Sequence, residues 1–454
     1  MEPRMDLHYL INCFLGLQDL TIIDAKLSKD FTSCNLEAEL AWHKARCHKC
    51  EHPLLEFHQW SHRQIQVPPL GIFKDVTLSL KYPRGLCPVC NKIQRAFIAG
   101  IHSKFTSHSC SFVEIAGRLM EETTCAATAR TLSSDPKTLW QMDQWRMREM
   151  QKKLDKIDFT KDLDLSKLSA DEVHFKTMTE AKRDSPFAPR YDIKFVTNLV
   201  CTKAAKVIAN AAGRDARALA TCLKTLSKPR RLSVEFFALD MNPGYFRAVN
   251  KLCPNAEIAV DRFHLVQNLN EYFDQVRREE FQRAKKEKKD FEEVMLSPSR
   301  RFMFLERNAV LSTEEQNMLG KLKILNTNIS NAMIITDYFH KVLEEKGVSG
   351  FRSRLAKWYL MVRDSRLLPL RKFALLVRKH RMNIEAYIRT NLTTAISEGL
   401  NNKIRVLKAM AYNYTNEESF MLKILQRCGF LNSRHMDTTA LFRFSTLAPK
   451  LPTD

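Results

Sequence analysis

Two short apolar runs between residues 234 and 270 each deliver an aspartate at their end. The first run, VEFFAL, ends at Asp240 and is stopped by Pro243 and Gly244, so we interpret it as a buried strand. The second run, EIAV, ends at Asp261. Carboxylates at the C-terminal ends of buried strands, with a helical segment between the strands, are typical of α/β folds that place chemistry at a sheet edge.

The region before these runs completes the pattern of an α/β domain. LSADEVHFK predicts a first strand that carries Asp171 and Glu172, and the strand-like stretches RYDIKFVTNLVCT and AKVIANAAGRD follow it. A helix over residues 215–226 then leads to the strand that ends at Asp240. Three strands, a helix, a fourth strand, a helix and a fifth strand form the order of an RNase H-like core. In such a core Asp171 and Asp240 would lie side by side.

A helix near the C-terminus, TAISEGLNNKIRVLKAMAY, would supply a third acid. Helical spacing predicts an apolar face that packs on the core, made of Ile396, Leu400, Ile404 and Leu407. The opposite face is polar and comprises Glu398, Asn401, Arg405 and Lys408. A carboxylate beside an amide and two cations suits a helix that presents a metal ligand next to a phosphate backbone. An ordinary amphipathic helix with Glu398 in a surface ion pair is the alternative.

These three acids match the needs of phosphodiester chemistry on DNA. That chemistry requires an activated nucleophile and a stabilised leaving oxygen, and two Mg²⁺ ions about 4 Å apart supply both. Mg²⁺ keeps some of its waters and takes few carboxylates, so two aspartates from adjacent strands and one acid from a helix suffice. We therefore predict that Asp171, Asp240 and Glu398 are catalytic and hold two Mg²⁺ or Mn²⁺ ions.

A second metal site is predicted near the N-terminus by two Cys-x-x-Cys pairs, Cys47/Cys50 and Cys87/Cys90. Four thiolates on two tight turns form the closed tetrahedral arrangement of a structural zinc ion in a zinc ribbon. Three nearby histidines could compete as ligands: His43, His48 and His52. The surrounding module is rich in lysine and arginine, so we expect it to lie on DNA.

Residues 111–150 predict three short helices with a helix-turn-helix rhythm. The third helix would begin after Asp135 and Pro136, which are favoured at helix starts. It would present four side chains to a major groove: Lys137, Thr138, Gln141 and Gln144. A plain three-helix connector is the alternative, and the basic surroundings favour DNA binding.

Composition limits the partners and the compartment. A formal charge of +21 over 454 residues favours a polyanionic partner, and nucleic acid is the commonest in the cytosol. A basic surface that only maintains solubility is the alternative. Apolar runs fall short of the roughly 18 residues that span a bilayer, and the N-terminus lacks a secretion signal, so we expect a cytoplasmic protein without a membrane partner. Twelve cysteines in that compartment should be reduced.

Taken together, these motifs resemble the ISL-three family of bacterial insertion-sequence transposases, which have a zinc ribbon, a helix-turn-helix and an RNase H-like DDE domain. The resemblance covers nearly the whole chain and rests on the two cysteine pairs, the strand with Asp171, LDMNPGYFRAV, PNAEIAVDRFH and SEGLNNKIRVLKAMAYNY. It implies that Asp171, Asp240 and Glu398 are the catalytic acids. It also implies a supporting Asp-x-x-His motif, formed by Asp261 and His264. HFKTMTEAKRDSPFAPRY is longer and more polar than the family's turn, which leaves Glu172 as an alternative to Asp171.

The expected fold is multidomain α+β: a zinc ribbon and a helix-turn-helix, then an RNase H-like α/β catalytic domain with an all-helical insertion. The expected boundaries are 1–42 (α+β segment for structure or dimer contact), 43–110 (ribbon), 111–150 (helix-turn-helix), 151–167 (linker), 168–275 (catalytic core), 276–390 (helical insertion) and 391–454 (remainder of the core with the glutamate helix). The bases that follow the glutamate match the family and are expected to contact DNA together with Asn401: Lys403, Arg405 and Lys408.

The expected function is that of a DDE transposase. It would bind the terminal inverted repeats of an insertion sequence, cut and join strands with Mg²⁺, and work as a homodimer or larger synaptic complex on double-stranded DNA in the bacterial cytoplasm, near the nucleoid. A zinc-dependent DNA-binding regulator that has lost the chemistry is the alternative. A standalone RNase H-like nuclease is a third reading, and joining of products to target DNA would separate it from a transposase.

Overall fold

A computed structural model describes residues 15–17, 19–176, 194–301, 304, 311–391, 394–411, 414 and 416–436. The chain divides into two compact units. The first unit comprises Met1–Phe159 and Val406–Asp454, and the second comprises Thr160–Arg405. Residues 1–14, at the start of the expected α+β segment, lie outside the described residues, as does the polar stretch 177–193.

The first unit contains a five-stranded sheet in the order β1-β2-β4-β3, with β5 paired to β4. Strands β2 and β4 are parallel, and the other pairs are antiparallel. A short 3₁₀ turn at Trp42–Lys44 precedes the first cysteine pair. The strands are β1 (Leu20–Leu27), β2 (Ser33–Leu40), β3 (Glu56–Val67), β4 (Asp75–Cys87) and β5 (Lys92–Arg95).

Alternation along β2 and β4 builds the core of this sheet. Every second residue of β2 is buried, and Val76, Leu78 and Leu80 of β4 are fully buried beside them. Because β2 pairs directly with β4, residues 20–40 share one sheet and one core with the cysteine-containing strands. The predicted boundary at residue 42 therefore does not separate two folding units.

Four helices of the first unit form a second core: α1 (Cys110–Glu122), α2 (Cys125–Leu132), α3 (Pro136–Leu154) and α15 (Glu417–Cys428). The side chains of Ser109, Thr124 and Asp135 each accept a backbone N–H at the start of α1, α2 and α3. Helix α3 runs to Leu154, into the segment that was predicted as a linker.

Helix α15 packs on α1 and α3, although it follows the glutamate helix along the chain. Leu422 and Leu431 bury their side chains against Met147, Met150 and Leu154 of α3. The predicted assignment of all of 391–454 to the catalytic core is therefore wrong for the part after residue 405, which belongs to the first unit.

The second unit is built on a five-stranded sheet in the order β10-β9-β6-β7-β8. Strands β6, β7 and β8 are antiparallel neighbours, whereas β9 and β10 run parallel to β6. The strands are β6 (Lys167–Lys176), β7 (Lys194–Cys201), β8 (Lys206–Ala212), β9 (Phe236–Leu239) and β10 (Glu257–Val260). Helices α4 (Ala216–Lys224), α5 (Lys228–Leu232) and α6 (Pro243–Leu252) lie between β8 and β10 along the chain. The five strands occur in the order that the sequence predicts, as do α4 and α6, and the short helix α5 is an additional element between β8 and β9.

After β10 the second unit is helical. Its helices are α7 (Arg262–Lys286), α8 (Asp290–Met295), α9 (Thr313–Leu325), α10 (Thr327–Leu343), α11 (Val348–Ser365), α12 (Leu368–Lys379), α13 (Arg381–Thr390) and α14 (Ala395–Met410), with a 3₁₀ turn at Pro298–Arg300. Phe339, Trp358 and Phe373 are fully buried and stack on one another in the core of this part. Helical structure begins at Arg262, earlier than the predicted insertion boundary at 276. None of the helices in the described ranges combines the length and the apolar character needed to cross a membrane.

Candidate metal centres and nucleic-acid interface

The four cysteines of the two pairs converge on one point in the first unit. The sulfur atoms of Cys50 and Cys87 lie 3.3 Å apart, those of Cys50 and Cys90 lie 3.6 Å apart, and those of Cys47 and Cys90 lie 3.8 Å apart. Zn–S bonds of about 2.3 Å in tetrahedral geometry place sulfur atoms about 3.8 Å apart, so the cluster fits a zinc ion. The first pair precedes β3, and the second lies at the turn between β4 and β5.

The surroundings of the cluster favour ionisation of Cys87, whereas the hydrogen bond with the Cys50 thiol raises the pKa of Cys90 to about 12. The N–H groups of Lys49 and Cys90 donate to the sulfurs of Cys47 and Cys87, each over 3.4 Å. Burial acts to raise the pKa of Cys87, but hydrogen bonds from the Cys90 backbone and the Cys50 thiol outweigh it and lower that pKa to about 6. Cations compensate for thiolates held this close together, which is the chemistry that a zinc site supplies.

The neighbouring histidines do not join this cluster. In the described part of the chain, the four cysteines are the one group of three or more Cys, His, Asp or Glu side chains whose ligand atoms lie within 4.8 Å of one another. The ring of His52 contacts the carbonyl oxygen of Cys50 at 3.0 Å, and the Nδ1 atom of the half-buried His48 is shielded from solvent. The structure therefore brings together the four predicted thiols without His43, His48 or His52.

Three neighbouring strands of the second unit place three aspartates at one level: Asp171 lies in the middle of β6, and Asp240 and Asp261 directly follow β9 and β10. The register pairs Ser169 of β6 with Ala238 of β9, and Val260 of β10 with Leu239 of β9. Continuing both registers aligns Asp171, Asp240 and Asp261 across the three strands, with Asp240 on the middle one. The two aspartates that follow β9 and β10 therefore lie in one row with Asp171.

Asp171 and Glu172 point to opposite faces of the sheet, because successive side chains of a strand alternate. Asp171 accepts hydrogen bonds from the side-chain amide of Asn401 at 2.7 Å and from the backbone N–H of Glu172 at 2.8 Å. Glu172 instead lies 3.2 Å from the hydroxyl of Tyr245, which is also 2.8 Å from the hydroxyl of Thr197. Asp171 therefore faces helix α14, whereas Glu172 faces helix α6.

The environment of Asp171 disfavours its charge unless a cation is present. Burial raises the pKa of Asp171, and the charges of Asp240 and Asp261 act in the same direction. The N–H of Glu172 and the charge of His264 oppose this shift. Burial also raises the pKa of Glu172. A divalent ion would offset the repulsion along this row of carboxylates.

Asp261 and His264, which were expected to act together, have separate contacts. Asp261 is almost fully buried, accepts the backbone N–H of Phe263 as the N-cap of α7, and accepts the hydroxyl of Thr394. His264 lies one turn into α7, and its Nδ1 is 3.8 Å from a carboxylate oxygen of Asp240. The histidine therefore contacts the central aspartate, and Asp261 anchors the helix that carries it.

Helix α14 lies along β6 through two polar rungs. The hydroxyls of Ser169 and Ser397 are 2.6 Å apart, and Asn401 contacts Asp171. Glu398 follows Ser397 directly and is half-buried in the first turn of α14. Within the described ranges, the carboxylate oxygens of Asp171, Asp240 and Glu398 do not all lie within 4.8 Å of one another, in contrast to the four cysteine sulfurs.

Two expectations about α14 are wrong. Asn401 is 4% exposed and holds Asp171, so it is not available to DNA. The buried face is also rotated from the predicted one, because Ile404 is fully buried while Ile396 is 37% exposed. Ser397 takes the place of Ile396 on the buried side, since it pairs with Ser169. The sequence signal for this pairing is the spacing of polar residues: Ser169 and Asp171 lie two apart on the strand, and Ser397 and Asn401 lie four apart on the helix.

The three basic residues of α14 that were expected to contact DNA differ in exposure. Lys403 and Arg405 are exposed, and Arg405 also donates to the side chain of Asn402 at 2.5 Å. Lys408 is half-buried, and burial lowers its pKa.

Helix α3 follows a three-residue turn after α2, as a recognition helix does. Lys137 and Gln141 are exposed, and Thr138 is half-buried with its hydroxyl on Asp135. Gln144 does not face a groove as predicted. Its side chain is 4% exposed and accepts a hydrogen bond from the hydroxyl of Ser419 at 2.8 Å. Trp140, whose exposure the sequence pattern does not predict, is 46% exposed on the same helix.

Comparison with known proteins places these elements among transposases. The model of the ISL-three (ISL3) type of DDE transposases, described as "Transposase", matches residues 187–424. The transposase for insertion sequence element IS1001 of Bordetella parapertussis is 23% identical over 381 residues, which cover 83% of this chain and 87% of that protein. The family match includes Asp240, Asp261, His264 and Glu398, whereas Asp171 and the four cysteines precede it.

Proposed function

The chain belongs to the ISL3 family of DDE transposases, and from that premise we propose that it binds the ends of an insertion sequence and catalyses Mg²⁺-dependent strand cleavage and strand transfer. The β10-β9-β6-β7-β8 sheet would be an RNase H-like catalytic core, since three antiparallel strands followed by two parallel ones have that order. The observation that supports the proposal most directly is the register of β6 and β9, which places Asp171 beside Asp240. The helix that contains Glu398 contacts Asp171 through the hydrogen bond from Asn401.

In this proposal Asp171, Asp240 and Glu398 hold the metal ions. When bound, divalent ions supply an activated water or 3′-hydroxyl and stabilise the leaving oxygen. Asp171 serves as the first ligand and Glu172 does not, because Asp171 shares its face of the sheet with α14 while Glu172 contacts Tyr245. Glu398 would complete the site by a side-chain movement or a small shift of the first turn of α14 when metal and DNA bind.

His264 and Asp261 would support this centre without holding metal. The imidazole beside Asp240 can orient that carboxylate or donate to a phosphate oxygen. Asp261 fixes the start of α7 through its cap and its contact with Thr394, and it thereby sets the position of His264. The residues thus have distinct roles, one at the carboxylate and one at the helix terminus.

The first unit would recognise DNA. A zinc ion held by Cys47, Cys50, Cys87 and Cys90 would stabilise the ribbon turns, and α2 with α3 would act as a helix-turn-helix. Lys137, Gln141 and Thr138 would face the groove or its phosphates, and Lys403, Arg405 and Lys408 would contact the phosphate backbone. Recognition of two ends implies a homodimer or a larger synaptic complex, working in the cytoplasm near the nucleoid.

The test is cleavage of a duplex that carries the inverted repeat flanking the coding region. Asp240→Asn removes a proposed ligand charge and should abolish Mg²⁺-dependent cleavage while end binding stays within about twofold of wild type. Asp337→Asn makes the same charge change at an exposed position of α10 and should retain cleavage. Cleavage that survives in Asp240→Asn would refute the assignment of that acid.

The same assay separates the alternatives. A wild-type protein that binds the ends but never cuts them would be a regulator derived from a transposase. Cleavage without joining of the products to a target duplex would identify a nuclease. The transposase proposal requires both cleavage and joining.

A further inference from the structure

An aromatic platform lies on the surface of the first unit, beside the zinc ribbon. It consists of Trp42, Phe57 and Trp60, with Lys81 at one side. The rings of Trp42 and Phe57 meet edge to face at a centroid distance of 5.5 Å, and those of Phe57 and Trp60 are 5.3 Å apart. The Nζ of Lys81 lies 4.4 Å from the centre of the Trp60 ring. Three aromatic rings thus form one continuous cluster.

Trp42 packs against the core of the first unit, whereas Phe57 and Trp60 extend the cluster away from that core. Phe57 is 47% exposed, the adjacent Leu55 is 64% exposed, and Trp42 and Trp60 are half-buried. Strand β3 lies at the edge of its sheet, and its first four residues are exposed on both faces. Contiguous exposed apolar side chains often mark interaction sites on soluble proteins.

The backbone is shaped to seat the platform. Gly85 of β4 lies opposite Phe57, and a Cβ atom there would come within 2.6 Å of the Trp42 ring and 2.5 Å of the carbonyl oxygen of Glu56. Real Cβ atoms do not approach other atoms this closely, so the position of the Trp42 ring depends on glycine at 85. The arrangement of the rings is therefore a defined feature of the sheet.

The charge around the platform favours an anionic ligand. Residues 42–109 contain ten lysines and arginines and three acids. Histidines alternate with the platform along β3, where His58 and His62 are exposed. Lys81 is also paired with Glu39 at 2.9 Å, so it contributes a fixed cation beside the rings more than a free charge. Exposed aromatic faces inside a basic surface are the features that bind unpaired nucleic acid bases.

We propose that the Trp42–Phe57–Trp60 platform binds unpaired bases of single-stranded DNA by stacking. Paired bases are stacked within a duplex and do not present their faces, whereas unpaired bases do. The inference rests on the proposed role in DNA strand cleavage and strand transfer, since bases become unpaired where a cut strand separates from its complement. The exposed face of the Phe57 ring would stack on a base, and the surrounding basic residues would contact the phosphates of the same DNA strand.

The experiment measures binding of the full chain to a labelled 20-nucleotide oligothymidylate and to a duplex of equal length, both without Mg²⁺. Phe57→Leu keeps an apolar side chain but removes the ring, and it should weaken binding of the oligothymidylate by roughly tenfold. Binding of the duplex should stay within about twofold. Phe57→Tyr retains a ring and should restore single-strand binding.

Phe31→Leu is the matched control, because Phe31 is 55% exposed in the same unit but lies outside the platform. It should leave both affinities unchanged, and zinc content should match wild type in every variant. Unchanged oligothymidylate binding by Phe57→Leu would overturn the proposal. So would an equal loss on duplex DNA, or a change from dimer to monomer in sedimentation, which would make the platform a protein interface. Because binding is measured without metal, loss of strand cleavage would not affect the result.

Discussion

Asn401 donates a hydrogen bond from its side-chain amide to Asp171 over 2.7 Å. Four residues earlier on α14, Ser397 contacts Ser169, which lies two residues before Asp171 on β6. Four helical residues rise about 6 Å and two strand residues about 6.6 Å, so the two rungs match. The contacts hold the first turns of the glutamate helix in register with the strand that carries the first aspartate.

Asn401→Ala should therefore slow strand cleavage. Removal of the amide frees Asp171 to change rotamer, and misplacement of a catalytic group by about 1 Å costs on the order of 100-fold in rate. Single-turnover cleavage at saturating DNA measures the effect. Asn402→Ala is the control on the next residue, which is exposed. Equal rates for the two variants would show that Asn401 does not position Asp171.

Asp171→Asn and Glu172→Gln should have opposite outcomes. The first change removes a proposed metal ligand and should abolish Mg²⁺-dependent cleavage. The second keeps an acceptor for the hydroxyl of Tyr245 and should retain activity within about tenfold. Cleavage assays across Mg²⁺ concentrations distinguish them. If Glu172→Gln were inactive and Asp171→Asn active, Glu172 would be the first ligand.

Cys47→Ser should release zinc from the first unit. Small structural zinc sites contribute about 10–16 kcal/mol of binding free energy that is coupled to folding, so loss of one thiolate should lower both metal content and thermal stability. Metal analysis and thermal unfolding measure this. Cys34→Ala changes a buried cysteine of the same sheet outside the cluster and should keep its zinc. A wild-type protein without zinc would contradict the site.

Arg146→Leu should destabilise the first unit. The fully buried guanidinium of Arg146 pairs with Glu121 at 2.6 Å and Glu114 at 3.4 Å, in space left by Gly117. Removal of one partner from a buried ion pair typically costs about 3–5 kcal/mol, because the remaining charges stay buried.

Denaturant unfolding measures this change in the free energy of unfolding. Arg148→Ala is the control, because Arg148 makes an exposed pair with Glu418 that should contribute about 0–1 kcal/mol. A cost for Arg146→Leu no larger than that of the control would show that the buried pair is dispensable.

Local patterns predicted most of the elements. The predicted capping residue Asp135 starts α3, and the apolar runs before Asp240 and Asp261 form β9 and β10. These features depend on neighbours within a few residues, so composition and spacing are sufficient to identify them. The convergence of the four cysteines also follows from two local turns.

Nonlocal pairings were not predictable in the same way. Alternation along β2 shows that one face is buried but does not reveal that its partner is β4 in parallel. Helical spacing identified an apolar face of α14, whereas the buried face includes Ser397 and Asn401 because β6 supplies polar partners. Gln144 is buried by α15, a helix that is distant along the chain.

The C-terminal residues Val406–Asp454 belong to the first unit, so this unit cannot complete its packing until the end of the chain has been synthesised. Met147 and Met150 of α3 complete their burial only against α15 and the residues after it, near the C-terminus. At roughly 5–20 residues per second, the ribosome needs on the order of ten seconds or more to add the intervening segment. The first unit, whose translation begins first, is therefore the last to complete its packing. A nascent chain that already contains Asp171, Asp240 and Glu398 still lacks the helix against which α3 packs.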